Sequence, residues 1–251
     1  MRDLQPFFSY YGGKWRAAPL YPEPGPVIVE PFAGSAGYAT RYPDRRAILL
    51  DADPVIAGTW AYLIRVSEVE ILSLPDVPMG GRVSDVAWPC EEAGWLAGWW
   101  LSRATSGPRV SPSAWMRGGL RPRLFWGPAA RERIASQLAR IRHWTIIHGD
   151  YRQAPDIEAT WFVDPPYQVM GKHYRHGAKG LDFDALGAWC RERKGQAIVC
   201  ENEGATWLPF EPFARVKATE RAGGGRVSAE AVWLSACPDL SQPRAPVTAG
   251  R

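Results

Sequence analysis

Apolar residues gather into short runs with sharp polar ends over the first third and the last half of the chain. Val27-Ile28-Val29 closes on Glu30, and Ala47-Ile48-Leu49-Leu50 closes on Asp51. Later, Trp144 to Ile147 leads to Gly149-Asp150, Trp161-Phe162-Val163 closes on Asp164, and Ala197 to Cys200 ends near Asn202. Continuous apolar runs of this length, rich in β-branched and aromatic residues and bounded by turn formers, predict buried strands. Between the first two runs, the small-residue loop PFAGSAG (31–37) leads into GYATRYP, which the pattern predicts to be a helix. Phe183 to Arg193 has a helical period, with Asp182 as its N-cap. The two final runs, around ARVKATER and SAEAVWLSA, suit an antiparallel hairpin.

From about residue 66 to 142 the period changes. This stretch is rich in Pro, Gly, Trp and Arg. Glu91 to Leu101 predicts an amphipathic helix started by Pro89, with Trp95, Trp99 and Trp100 packing. Pro128 to His143 predicts another, striped by Ile134, Leu138 and Ile141. Residues 107–128 lack a period and read as loops or a short hairpin.

Strand, loop, helix and strand in alternation imply an α/β fold, a mainly parallel twisted sheet of Rossmann-like kind with a C-terminal antiparallel hairpin. Residues 1–65 and 143–237 build that unit. Residues 66–142 interrupt it, and 238–251 read as a disordered tail. A chain of 251 residues with 46% hydrophobic and 22% charged residues buries a sizeable core. No leader-like stretch opens it, and no run approaches the ~18 apolar residues of a membrane span, so a cytoplasmic protein without a membrane partner is expected. The four cysteines and four histidines show neither CxxC nor HExxH spacing, which predicts free thiols and no metal. Net charge is only +4, but nine arginines and a single acid, Glu132, fall between Ser102 and Arg142. Arginine suits bidentate contacts to phosphate and to guanine edges.

The candidate chemistry sits at the strand ends. Pro165 and Pro166 cannot donate ladder bonds, so the strand stops at Asp164, and Tyr167 follows on a stiffened turn. Gly34 and Gly37 let backbone pass close to a ligand, with Ala36 keeping the loop thin. Asp51, at the end of the next strand, is placed to accept ribose hydroxyls. The spacing is not GxGxxG, which disfavours a dinucleotide dehydrogenase.

In combination and order, FFSYYGGK (7–14), EPFAGSAG (30–37), LLDADP (49–54), GDY (149–151) and DPPY (164–167) resemble the Dam-like, alpha-class DNA adenine-N6 methyltransferases. KATERAGGGRVSAEAVWL (217–234) matches that family's closing hairpin more weakly. The resemblance covers most of the chain outside 66–142, where the family places its target-recognition region. It implies S-adenosylmethionine as cofactor and a flipped-out adenine in double-stranded DNA as substrate. It further implies a cofactor site of Tyr10, Tyr11, Gly12, Gly13, Lys14, Glu30, Pro31, Phe32, Ala33, Gly34, Ser35, Gly37, Asp51, Asp150, Tyr151 and Asp164. Within it, Lys14 would flank the methionine end and Asp150 would accept from the adenine amino group. Asp164, Pro165, Pro166 and Tyr167 would be catalytic, Tyr167 by stacking on the base. Arg103, Arg109, Arg117, Arg121, Arg123, Lys172 and Arg175 would meet DNA. Departures from the family pattern are Asp53 after the ribose acid, CENEG (200–204) for a Ser-x-Asn strand end, and basic residues in HYRHGAKG (173–180).

Other readings stay open. An N4-cytosine methyltransferase shares the geometry but commonly has Ser in place of Asp164, and an enzyme acting on protein amides usually has Asn; an RNA substrate is a further variant. A family member that binds DNA or cofactor without turnover is a reading of a different class. Oligomeric state is not legible in the sequence.

Overall fold

The computed structural model describes residues 4–103, 105–119, 124–168, 180–217 and 227–235. The tail from 238 onward and Arg121, Arg123, Lys172 and Arg175 lie outside the described residues. The strands are β1 (Val27–Glu30), β2 (Arg46–Asp51), β3 (Thr145–His148), β4 (Ala159–Val163), β5 (Gly195–Asn202), β6 (Glu211–Lys217) and β7 (Val227–Leu234). They form one mixed sheet in the order β3-β2-β1-β4-β5-β7-β6. The first five are mutually parallel; β7 runs antiparallel to both β5 and β6. The protein is thus α/β, compatible with a Rossmann-like fold and carrying the antiparallel hairpin the sequence pattern implies.

Side chains alternate between two buried faces, as the period of two requires. Ile28, Leu49, Phe162 and Ile198 point to one face, while Val29, Leu50, Trp161 and Val199 point to the other. The first face is covered by α1 (Pro54–Arg65), by α3 (Glu91–Trp100), by α5 (Pro128–Ala135) and by Phe7 and Phe8 of the N-terminal segment. The second is covered by α6 (Phe183–Arg191) and by Trp207 and Leu208. Each large apolar side chain so buried contributes roughly 1.5–3 kcal/mol.

Two helices are shorter than their patterns predict. GYATRYP makes only a 3-10 turn over Ala39–Arg41. The N–H of Ala39 donates to Glu30 Oε1 at 2.6 Å, and Tyr42 leaves the helical region at φ −125°, ψ 56°, before Pro43. A residue preceding proline is disfavoured in the α region, so the turn does not propagate. The helix from Pro128 breaks after Ala135 and resumes as a 3-10 turn over Leu138–Ile141. At the break the Gln137 side chain accepts from the Gln5 N–H at 2.6 Å and pins the N-terminal segment there. The stripe Ile134, Leu138 and Ile141 is nonetheless fully buried.

The middle segment is no detached appendage. It comprises α2 (Glu68–Ser73), α3, the single turn α4 (Ala114–Arg117) and α5. Trp99 stacks on Phe8 at 5.1 Å, and its side chain belongs to the same buried cluster as β1 and β2. No strand belongs to the described residues of 107–128. Several of its arginines serve the fold. Arg131 pairs with Asp76, Arg140 pairs with Asp44, and Arg142 donates to the carbonyls of Leu63, Ile64 and Val66 at the end of α1. Among the described residues, no helix is long and apolar enough to cross a membrane, and no group of three or more His, Cys, Asp or Glu is placed to hold a metal ion.

Candidate functional site

Strand register places the site. Glu30 lies beside Leu49 of β2, and Val29 lies beside Trp161 of β4. Asp51 and Asp164 therefore extend past the end of β1 on its two sides. The chain passes leftward from β1 to β2 and β3 and then returns to β4, so strand order reverses between β1 and β4. Such reversals open a crevice at the carboxyl ends of the strands, where α/β sheets bind ligands. A cavity of about 300 Å³ lies there, within the range of small-molecule sites.

All sixteen residues expected at the cofactor line this cavity, together with Pro166. Ala52, Asp53, Ile56, Gly149, Phe162, Gly180 and Leu181 complete the wall. Apolar surface comes from Phe32, Ile56 and Leu181; Phe32 in turn stacks on Tyr151 at 5.7 Å. Of the ionisable lining groups, Lys14 is outnumbered by Asp51, Asp53, Asp150 and Asp164, and a fifth carboxyl, Glu30, is kept largely protonated at neutral pH by burial. The cavity is therefore electrostatically suited to a ligand carrying positive charge or hydroxyl donors.

The loop after β1 is held open from behind. Gly34 takes φ +47°, a left-handed conformation costly for other residues, and its N–H donates to Asp51 Oδ2 at 3.0 Å. Asp51 Oδ1 accepts from the Asp53 N–H at 2.9 Å, so both oxygens are fixed by backbone. Asp53 itself caps α1 by accepting from Val55 at 2.9 Å. Gly37 admits protein backbone where the sequence suggested a ligand: a Cβ there would stand 2.6 Å from the Trp15 nitrogen and 2.8 Å from that of Lys14. The two motif loops are thus packed main chain against main chain. Glu30 is 2% exposed, and burial pushes its carboxyl up to about 8 despite the Ala39 N–H.

Asp164 leaves β4 with its carboxylate facing the cavity. Lys14 Nζ stands 2.9 Å from Asp164 Oδ1 and 3.6 Å from Glu230 Oε2, and it donates to the Gly12 carbonyl at 3.2 Å. Lys14 therefore grips the strand-end acid while lining the cavity in which the resemblance implies it would flank a cofactor's methionine end. The Asp164 side chain is 17% exposed and lines the cavity, with Oδ1 itself buried. Burial raises its pKa, Lys14 opposes the rise, and Glu230 adds to it.

Two further expectations are corrected. Tyr167 does not turn outward from the proline turn: it is 7% exposed, its hydroxyl donates to Glu230 Oε2 at 3.1 Å, and Lys14 lies 4.8 Å over its ring. Its ring face is occupied by the ammonium. Pro165 is buried behind it, and only Pro166 of the pair reaches the cavity. Asp150 lines the cavity but is engaged as a cap. Its Oδ1 accepts from the Arg152 N–H at 3.0 Å and from Arg152 Nε at 2.6 Å, which holds its pKa below the usual range against burial.

Glu230 and Glu201 were not anticipated. Glu201 is fully buried and accepts from the Gln168 and Asn202 N–H groups, each at 2.7 Å, which anchors the turn that follows Asp164. Its alternation with Val199, and that of Glu230 with Val232, put both acids on buried faces. That phase was present in the sequence.

Of the expected DNA contacts, Arg103 and Arg109 are half-buried, and Arg117 is exposed with one guanidinium nitrogen donating to Pro112 O at 2.8 Å. The middle segment reaches the cavity rim at Thr105, whose carbonyl accepts from the Tyr11 N–H at 3.1 Å. No model of a known protein family matches the chain, and no curated protein matches it either.

Proposed function

We propose that this protein transfers a methyl group from S-adenosylmethionine to the exocyclic amino group of adenine in double-stranded DNA. The observation that carries the reading is the meeting of three features in one cavity: the glycine loop tied to Asp51, the buried Lys14–Asp164 pair, and the proline turn after β4. The residues fit the cofactor. Asp51, its plane fixed by two N–H bonds, is a ribose acceptor; a carboxylate offers about four acceptor sites. Phe32, Ile56 and Leu181 give an adenine ring apolar walls, and the excess of acids suits a sulfonium. Antiparallel β7 between β5 and β6, and the lack of GxGxxG, separate the protein from all-parallel dinucleotide-binding sheets.

When bound, S-adenosylmethionine supplies an electrophilic methyl group. The chain's own task is to make a poor nucleophile available. The lone pair of an adenine amino nitrogen is delocalised into the ring. Asp164, which lines the cavity, would accept one N–H, drawing the nitrogen toward tetrahedral geometry and localising its pair. Lys14 fixes the carboxylate edge before substrate arrives, so little reorganisation is needed at the moment of reaction. Glu201 fixes the far end of the turn. Base flipping costs roughly a few kcal/mol, offset by contacts inside the site. Arg103, Arg109 and Arg117 sit in the segment that reaches the rim and would neutralise phosphates.

The test is to incubate the protein with S-adenosylmethionine and plasmid DNA, digest to nucleosides and identify the product. N6-methyldeoxyadenosine is expected; methylated cytosine, or no methylated base, refutes the reading. Asp164→Ala is expected to abolish transfer while retaining calorimetric cofactor binding, and undiminished methylation in that variant would remove Asp164 from the mechanism.

A further inference from the structure

Resting on that reading, we propose that Glu230, on the closing hairpin, is a positioning residue of the site: it divides the charge of Lys14 with Asp164 and anchors Tyr167 beneath the ammonium. One oxygen, Oε2, does both, at 3.6 Å from Lys14 Nζ and 3.1 Å from the Tyr167 hydroxyl. Lys14 is 2.9 Å from Asp164 on its other side, and the Tyr167 ring lies 4.8 Å below it. The side chains of Lys14 and Glu230 are 6% and 10% exposed, so water screens these charges little.

One ammonium thus serves two carboxylates. Were Glu230 absent, the full attraction of Lys14 would fall on Asp164, and the acid would hold its negative charge more tightly. With Glu230 present, Asp164 is a more basic hydrogen-bond acceptor, the property its role at an amino group demands. Glu230 also keeps the Tyr167 hydroxyl bonded, which keeps the ring seated under Lys14 and out of the cavity. The other groups facing Asp164 are Glu30 from β1, Cys200 and Glu201 from β5, Tyr21 from the N-terminal segment and Tyr167 from its own turn. All of these remain in a Glu230→Gln variant, which keeps shape and an acceptor for Tyr167 but deletes the charge.

The experiment is a 13C NMR titration of the aspartate carboxyl carbons in the free protein, with Asp164→Asn assigning the resonance. The Asp164 midpoint is expected to move to lower pH in Glu230→Gln and to higher pH in Lys14→Met; the acid limb of the methylation pH profile should follow in Glu230→Gln. Glu230→Asp, which keeps the charge, is expected to stay near wild type. A merely structural Glu230 would shift melting temperature in both variants and leave the Asp164 midpoint in place; an unmoved midpoint in Glu230→Gln overturns the proposal. Should that variant not fold, Glu230→Met decides: it removes the charge at similar length and must also lower the Asp164 midpoint, and no change refutes the proposal. Failure of the wild type to methylate DNA would sink the functional reading while leaving this titration to be judged by itself.

Discussion

Glu30→Gln separates the cost of a buried acid from the value of its shape. Glu30 closes β1 at 2% exposure, with Oε1 accepting from the Ala39 N–H at 2.6 Å. Burial lifts its carboxyl from an ordinary 4.5 to about 8. At about 1.36 kcal/mol for each tenfold change in proton affinity, ionising it in the folded protein costs roughly 5 kcal/mol more than in the unfolded chain. A carboxyl raised in this way stabilises fully below its unfolded pKa. That contribution fades as pH climbs through the folded value, because the unfolded chain releases its proton first. Glutamine keeps an acceptor for Ala39 and never ionises. Urea unfolding of both proteins at a series of pH values from 4 to 9 should give a stability difference that is flat at the acid end and then turns in favour of Glu30→Gln. The turn should reach roughly 3 kcal/mol by pH 7 and roughly 5 kcal/mol by pH 9 relative to the acid end. Other titrating groups are common to both proteins, and of these Asp164, which faces Glu30, is coupled to the change. Parallel stability curves over the whole range would show that Glu30 ionises in the fold as freely as in water, and the account of its burial would be wrong.

Gly37→Ala is expected to cost about 1–3 kcal/mol, because its new methyl meets backbone nitrogens at 2.6 and 2.8 Å where no side chain can yield. For a chain of this size that is a fall in melting temperature of about 2–4 °C per kcal/mol, measurable by scanning calorimetry. Cofactor affinity should fall with it, since Lys14 is displaced; a variant that melts and binds like wild type contradicts the packing of the two loops. Arg142→Met should lose about 1–2 kcal/mol by freeing carbonyls at the end of α1, with the salt dependence of DNA binding unchanged. Arg103→Ala should instead leave stability near wild type and flatten the slope of log affinity against log salt by about one. Interchanged outcomes would reverse the assignment of structural and DNA-facing arginines.

The strands were legible because each is an apolar run with an abrupt polar end. VIVE is β1 residue for residue, and the other parallel strands match their runs to within a residue or so at each end. The same feature made the cavity legible: in a parallel sheet the abrupt ends gather on one edge, so Glu30, Asp51, Asp150 and Asp164 converge without any need to know the path between them. Local competition was not legible. Whether Ala39 bonds to a helix carbonyl or to Glu30 depends on a side chain nine positions away, and whether Gln137 stays in a helix depends on Gln5. Charge partners were hidden for a related reason. Arg131 and Arg142 look like a basic footprint along the sequence, yet their partners, Asp76 and the end of α1, lie in other elements. Tyr167 was misplaced because a rigid turn fixes where its side chain starts and not which way it points, and Glu230 decides the direction.

Lys14 and Glu230 meet although nearly the whole fold lies between them in sequence. Closing a loop of that length carries a large entropic toll, and contacts so remote are made only after nearer ones have formed. A growing polypeptide can therefore build its five parallel strands and the hollow at their carboxyl ends while β7 is still within the ribosome. The contact of Glu230 with Lys14 arrives last. A copy lacking β7 would keep the Lys14–Asp164 pair and lose the carboxylate that shares it.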